Sequence, residues 1–502
     1  MKASRSRGLR SRFSRRQLLA GGAVLGTAAI GAAVFGGVRW RRRRYTRKLA
    51  APLKLEEGVT GSIRLVAAER QTALPCFGGK PLPMWTFSEG TWPPVIRLKL
   101  GEKLDVTLEN RLPRADESTS IHWHGSRLPN NQDGVPYLVQ DPVTQGESFR
   151  YTFMPPDTGT FFFHTHCNTV EQLGRGLQGV LIVEGDTTEP YDADEVLFLR
   201  DWQCDLAAGE FNPFFTLRGA GRAGTYGVVR SVNGQVDPEI SLPAAGDCRL
   251  RLINGDPTRV MRLSIEDGEA AIIALDGFAV PPEEFTTWVL GPAMRIDLVL
   301  RAPDPGKTAS LVDNAGMPEQ VRLARFVGTG EPKNNGEFDP AALHAVRITE
   351  PNLENATRMS FTFQSSDTGK FVATAEESWG GPLGPLCVST RNFWTINDRG
   401  WPDRDHKRLP PPLAHLDRNH TYIFSLKNGT TFAHPIHIHG HAFKLLSTDK
   451  LERPEHHTDT LLLVPGETAE VAFVADNPGD WMFHCHVIEH QETGMMSYLR
   501  IT

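Results

Sequence analysis

Four pairs of histidines in this chain stand at a spacing that suits metal chemistry. They are His122 and His124 in Ile121-His122-Trp123-His124-Gly125, His164 and His166 around Thr165, His437 and His439 in Ile436-His437-Ile438-His439-Gly440, and His484 and His486 around Cys485. Along a strand, residues i and i+2 project from the same face. Each pair therefore presents two imidazoles side by side, a separation that suits two neighbouring metal ions better than chelation of one. With 17 histidines in 502 residues, composition alone would give fewer than about one such pair. Scattered core or surface histidines do not account for the pattern.

Cys485 sharpens the identity of the metal. Lying between His484 and His486, it points to the opposite face of the strand and needs partners of its own there. His490 follows five residues on, Met495 ten residues on, and His434 lies upstream in the same region. Two imidazoles, one thiolate and a weak thioether are a ligand set that selects copper in an electron-transfer role. Zinc would not call for the methionine, and an iron–sulfur cluster would need more thiolates. The other cysteines, Cys76, Cys167, Cys204, Cys248 and Cys387, form no CxxC pair, and their pairing cannot be read from spacing.

The elements that must position these residues are strands. Glycine (47) and proline (36) punctuate the chain often, and no stretch sustains a helical apolar period for several turns, so the bulk reads as all-β. The histidine segments form an internal repeat. In each copy the second pair follows a turn and an aromatic run, Asp157 to Phe163 or Asn477 to Phe483, and leads into a closing strand, Gly179 to Val183 or Ser497 to Ile501. The first and last thirds thus read as copies of one β-sandwich unit. The middle is also strand-rich but holds a single histidine, His344, and reads as a spacer without metal. The expected division is 1–50, 51–190, 191–345 and 346–502.

Residues 1–50 carry 14 Lys and Arg and no acid; with a net charge of -5 for the whole chain, residues 51–502 carry -5 minus 14, or -19. An acidic body argues against nucleic acid as a partner and would mildly concentrate cationic donors. Ser14-Arg15-Arg16-Gln17-Leu18-Leu19 resembles a twin-arginine export signal and precedes the uncharged stretch Leu18 to Val38. That resemblance implies delivery to the periplasm or the outer face of the cytoplasmic membrane. Gly31-Ala32-Ala33 is the best cleavage site, and Arg39 with Arg41 to Arg44 follow it, so an uncleaved membrane anchor stays open as the alternative.

The segments IHWHG, HTH, HPIHIHGH and HCHVIEHQETGMM resemble the four copper-binding motifs of three-domain multicopper oxidases, the laccase-like enzymes. The resemblance runs from about residue 55 to the end. It implies three cupredoxin-like Greek-key β-sandwich domains and four copper ions. His434, Cys485, His490 and Met495 would hold the type 1 copper, and His122 and His437 the type 2 copper. His124, His164, His166, His439, His484 and His486 would hold the type 3 pair. It further implies that a small donor gives electrons singly at the type 1 site, that Cys485 connects that site to His484 and His486, and that dioxygen is reduced to water at the trinuclear cluster.

Asp133 matches an acid that in the family lies beside the cluster and relays protons; as the first residue of Asp133-Gly134 it also reads as a turn. Gln491 stands where some members carry a glutamate, leaving Glu492 or Glu489 as substitutes. A coordinating Met495 implies a lower type 1 potential than a leucine would give. His441 reads as a packing residue, His456 and His457 as a solvated loop, and Cys167 as a packed thiol or disulfide facing away from His166. Ten dispersed methionines favour oxidation of phenols or aromatic amines over dedicated cuprous oxidation, which remains the alternative. Full retention of the ligands argues against the non-catalytic relatives of this fold, and four H-x-H pairs argue against a copper nitrite reductase.

Overall fold

The computed structural model describes residues 62–187, 190–315, 320–334, 336–345, 347–366, 392–401 and 408–502. The leader with its twin-arginine-like segment, and Cys387, lie outside the described residues. Among the described residues no helix is long and apolar enough to cross a membrane.

Among the described residues the architecture is all-β, built from three successive pairs of sheets and one two-stranded ribbon, Cys204–Asp205 with Glu210–Phe211. In the first pair, Leu82–Thr86, Ile63–Thr72, Leu104–Arg111 and Ser148–Phe153 lie in that order. They face Val95–Lys99, Gln178–Glu184, Gly159–His164 and His122–His124. Strict alternation drives this: in Leu104–Arg111, Leu104, Val106 and Leu108 are buried, with half-buried polar residues between them. Their side chains meet Trp123, Tyr151 and Phe163 between the sheets. The middle and last pairs each combine a six-stranded with a five-stranded sheet.

One topological feature recurs in all three: an early strand pairs in parallel with a later one, so the chain must cross over between them. The pairs are Ile63–Thr72 with Leu104–Arg111, Ala193–Trp202 with Asp247–Asn254, and Thr357–Ser365 with Thr421–Asn428. The middle pair is therefore the same kind of sandwich as its neighbours. Its strand Asp247–Asn254 turns Leu250 and Leu252 into its own core. The alternate residues Arg249 and Arg251 are fully buried on the other face. There Arg249 pairs with Asp186 and Asp297, and Arg251 donates to Thr160 Oγ1 at 2.9 Å. Buried arginines demand such partners. The partners come partly from the first sandwich, so these arginines fasten the two together.

Candidate metal centre

The histidine pairs sit on strands in matching register. His122 lies opposite His164 in the first sandwich, and His437 opposite His484 in the last. Because side chains alternate, Trp123 goes into the first core, while Cys485, Ile436 and Ile438 go into the last. The eight imidazoles point outward from both sandwiches and meet. His122 stacks on His439, and His124 on His437, each with ring centroids 3.8 Å apart. Groups with all their ligand atoms within 4.8 Å of one another form, among them His124, His164 and His486; His166, His439 and His484; His122, His437 and His439; and His122, His164 and His166.

On the far face of the His484–His486 segment a separate group gathers. Cys485 Sγ lies 3.5 Å from His434 Nδ1 and 3.7 Å from His490 Nδ1, and the two nitrogens are 3.0 Å apart. Met495 is buried beside them; its N–H donates to His490 O, and its carbonyl accepts from Cys485 N. Val487 N–H points at Cys485 Sγ at 3.4 Å. The outer nitrogens are also engaged. His490 Nε2 donates to the Arg222 carbonyl at 2.5 Å, and His434 Nε2 meets Thr430 Oγ1 at 2.8 Å. Arg222 belongs to a loop of the middle sandwich that is latched by Glu489, which accepts from Thr216 N at 3.2 Å and Thr225 Oγ1 at 2.9 Å. Trp394 packs against both imidazoles.

The nitrogens themselves test whether cations fit. His484 Nδ1 donates to Cys485 O at 2.9 Å and His439 Nδ1 to Asp133 Oδ2 at 2.9 Å. Each is thereby left with a bare lone pair on Nε2, yet these two Nε2 atoms face one another at 3.0 Å. Two acceptors at that distance repel unless a cation lies between them. His122 Nε2, His124 Nδ1, His166 Nε2 and His437 Nε2 are buried with no hydrogen-bond partner. Desolvation, then mutual repulsion, holds His124, His166 and His439 well below the ordinary imidazole value. They are neutral, as ligands must be. Burial pushes the Cys485 thiol up, so the thiolate needs a positive partner. The residues present fit copper at both groups.

Two buried carboxylates complete the larger group. Asp133 takes His122 Nδ1 on its carbonyl at 2.9 Å and His439 Nδ1 on Oδ2, while Oδ1 is buried, makes no hydrogen bond and lies 3.2 Å from the same His122 Nδ1. Asp459, which sequence reasoning missed, repeats the pattern from the other side. Its carbonyl takes His437 Nδ1 at 2.8 Å, and its Oδ1 takes His124 Nε2 at 3.1 Å. Burial works to raise the Asp459 carboxyl, but Arg295 and His437 together outweigh it and hold the group well below the usual carboxylate range. Gly125 makes room for this pair: its φ is +84°, and a Cβ there would lie 2.4 Å from Arg295 Nη2 and 2.6 Å from Asp459 Oδ2. No spacing signal links Asp459 to Asp133, since one stands twenty residues after its H-x-H pair and the other nine.

Of the remaining expectations, His441 is buried and packs on Phe473 and Trp481, with Nδ1 against His439 O. His456 is a correction: it is buried, not in a solvated loop, because Trp288 of the middle sandwich packs over it, and His457 is half-buried. Gln491 Nε2 reaches Glu492 at 3.2 Å. Glu489 serves the loop latch instead.

Residues 70–188 and 387–502 each match the family described as multicopper oxidase. The fold superposes on the crystal structure of a multicopper oxidase from Pseudomonas thermotolerans with a TM-score of 0.77 and 37% identity, covering 88% of this chain and all of that one. The multicopper oxidase MmcO of Mycobacterium tuberculosis is 28% identical over 84% of each chain. Laccase-1 of Botryotinia fuckeliana is 26% identical over 81% of this chain and 76% of its own. The chain belongs to the multicopper oxidases, copper-dependent oxidoreductases that use oxygen.

Proposed function

We propose that this enzyme is laccase-like, oxidising small reductants such as phenols or aromatic amines one electron at a time while reducing dioxygen to water with four coppers. His434, Cys485, His490 and Met495 would hold the type 1 ion, and His122 and His437 the type 2 ion. His124, His164, His166, His439, His484 and His486 would hold the type 3 pair. Bound there, copper supplies reversible one-electron redox chemistry and, as a cluster, the site of dioxygen reduction.

The observation that carries the reading is the arrangement around Cys485. Its thiol belongs to one group, and its own peptide bonds lead directly to His484 and His486 in the other. A covalent path thus joins a site buried inside one sandwich to a site between two. Asp133 holds His122 and His439 in place and keeps its Oδ1 free of any hydrogen bond, 3.2 Å from His122 Nδ1, which supports a role in receiving and passing protons there. The twin-arginine-like leader supports export to the periplasm, and N-terminal sequencing of the mature protein separates cleavage from anchoring.

A second reading, oxidation of metal ions, is favoured by the covered His490. With its Nε2 held by Arg222, no donor touches this imidazole unless the loop moves, so a compact ion approaching the loop is at least as well served as a bulky ring. The acidic body favours it too. Metal analysis with absorption and electron paramagnetic resonance spectra tests the enzyme class: four coppers per chain and a blue colour are expected, and a colourless metal-replete protein would overturn it. Oxygen uptake with a phenol, an aromatic amine, Cu(I) and Fe(II) then decides between the donors.

A further inference from the structure

The middle sandwich has none of the paired histidines, yet one of its side chains reaches the cluster. Arg295 lies on the strand Arg295–Arg301 and is fully buried. A guanidinium has five N–H donors in a rigid fork, and all five are used. Nε donates to Thr160 O at 3.2 Å, in the Gly159–His164 strand of the first sandwich. Nη1 donates to Ala293 O at 3.1 Å and Asp459 Oδ1 at 2.9 Å; Nη2 donates to Asp276 O at 2.8 Å and Asp459 Oδ2 at 2.5 Å. One side chain therefore touches all three sandwiches, and its bidentate grip sets the plane of the Asp459 carboxylate.

That plane matters because Asp459 Oδ1 faces two imidazoles, His124 Nε2 at 3.1 Å and His437 Nδ1 at 3.4 Å, the latter also donating to the Asp459 carbonyl at 2.8 Å. His124 Nε2 is turned to Asp459 Oδ1 and to Thr460 Oγ1, at 3.1 Å each. The Thr460 hydroxyl donates to Asp459 at 2.7 Å, so it too is oriented by that carboxylate. His124 is left with Nδ1 buried and unpaired, facing the cluster, and His437 with Nε2. Partners of this kind fix the tautomer and the ring orientation of a metal-binding histidine. Asp133, the counterpart on the first sandwich, meets His122 and His439 but no arginine among the described residues.

We infer that Arg295 is a positioning residue for the trinuclear copper site: through Asp459 it holds His124 from the first sandwich and His437 from the last with their ligating nitrogens inward. This rests on the copper assignment proposed above. The middle sandwich is then part of the metal-binding apparatus and not a spacer.

The test compares the wild-type holoenzyme with Arg295→Lys and Arg295→Met, reading copper per chain, the type 2 resonance signal, and the blue absorption of the Cys485 site as an internal reference. Lysine keeps the buried positive charge, and with it the fold, but offers three donors on a point charge where the fork offered five. In both variants we expect unchanged blue absorption, an altered or missing type 2 signal, and trinuclear copper held about 10- to 100-fold more weakly. If Arg295→Met does not fold, Arg295→Lys decides alone. A wild-type copper count and type 2 signal in Arg295→Lys would overturn the role of Arg295 and leave the copper assignment intact. A wild-type protein with no type 2 signal would overturn the assignment itself.

Discussion

Thr119 stands two residues before Ile121 as His434 stands two before Ile436, and Thr165 lies between its two histidines as Cys485 lies between its own. The first and last sandwiches pair the neighbouring histidines in the same register, His122 opposite His164 and His437 opposite His484, but fill the space behind them with opposite chemistry. In the first, the Thr119 and Thr165 hydroxyls both donate to Gln172 Oε1, at 2.9 and 2.6 Å. Gln172 Nε2 in turn donates to Glu117 Oε1 at 2.6 Å and to Ser118 O at 2.7 Å. Every hydrogen-bonding position of the amide is taken, and the cluster is closed. In the last, two imidazoles and a thiol converge with lone pairs facing one another. The backbone is common to both; whether a site holds metal is decided by whether its donors have already satisfied each other.

Ways to break this contrast follow in order of effect. Cys485→Ser keeps the shape of the last site but removes the thiolate: blue absorption and donor-driven oxygen uptake should vanish while the type 2 resonance signal persists. A still-blue variant would refute the assignment. Asp133→Asn leaves the Cys485 site untouched and acts only between the sandwiches. Oxygen reduction should slow by about 100-fold or more, with a changed pH profile at constant blue intensity, and an unchanged rate and profile would remove Asp133 from the proton path. Gln172→Leu opens the closed cluster of the first sandwich, leaving the two hydroxyls and the buried Glu117 carboxylate short of partners. A loss of about 3 kcal/mol is expected, read from urea unfolding, with the spectrum of the folded protein unchanged. The smallest effect is Met495→Leu, which should raise the type 1 potential in a redox titration without bleaching the colour.

The histidine pairs were legible because their meaning is local: a period of two on a strand fixes which side chains share a face, whatever the rest of the chain does. Cys485, His490 and Met495 were legible because they are also close in sequence: Cys485 ends the strand Gly479–Cys485, His490 lies in the short helix Ile488–Glu492, and Met495 follows that helix. Asp459 and Arg295 were not. His124 and Asp459 are 335 residues apart, and neither Asp459 nor Arg295 stands in a repeat or a recognisable spacing. Their roles exist only once three sandwiches have docked. His456 was misjudged on the same ground, since the ring that covers it belongs to another sandwich. Sequence period speaks to faces of single elements, and interfaces between sandwiches are where it falls silent.

The stacking of His122 on His439 and of His124 on His437 ties copper retention to the joining of the two ends of the chain. Prising the sandwiches apart leaves neither half with a complete set of ligands for the larger cluster, so ions held there would depart together. The Cys485 group lies inside one sandwich, and its ligands would stay together on that separation. As the protein is heated, its colour should therefore outlast its ability to consume oxygen.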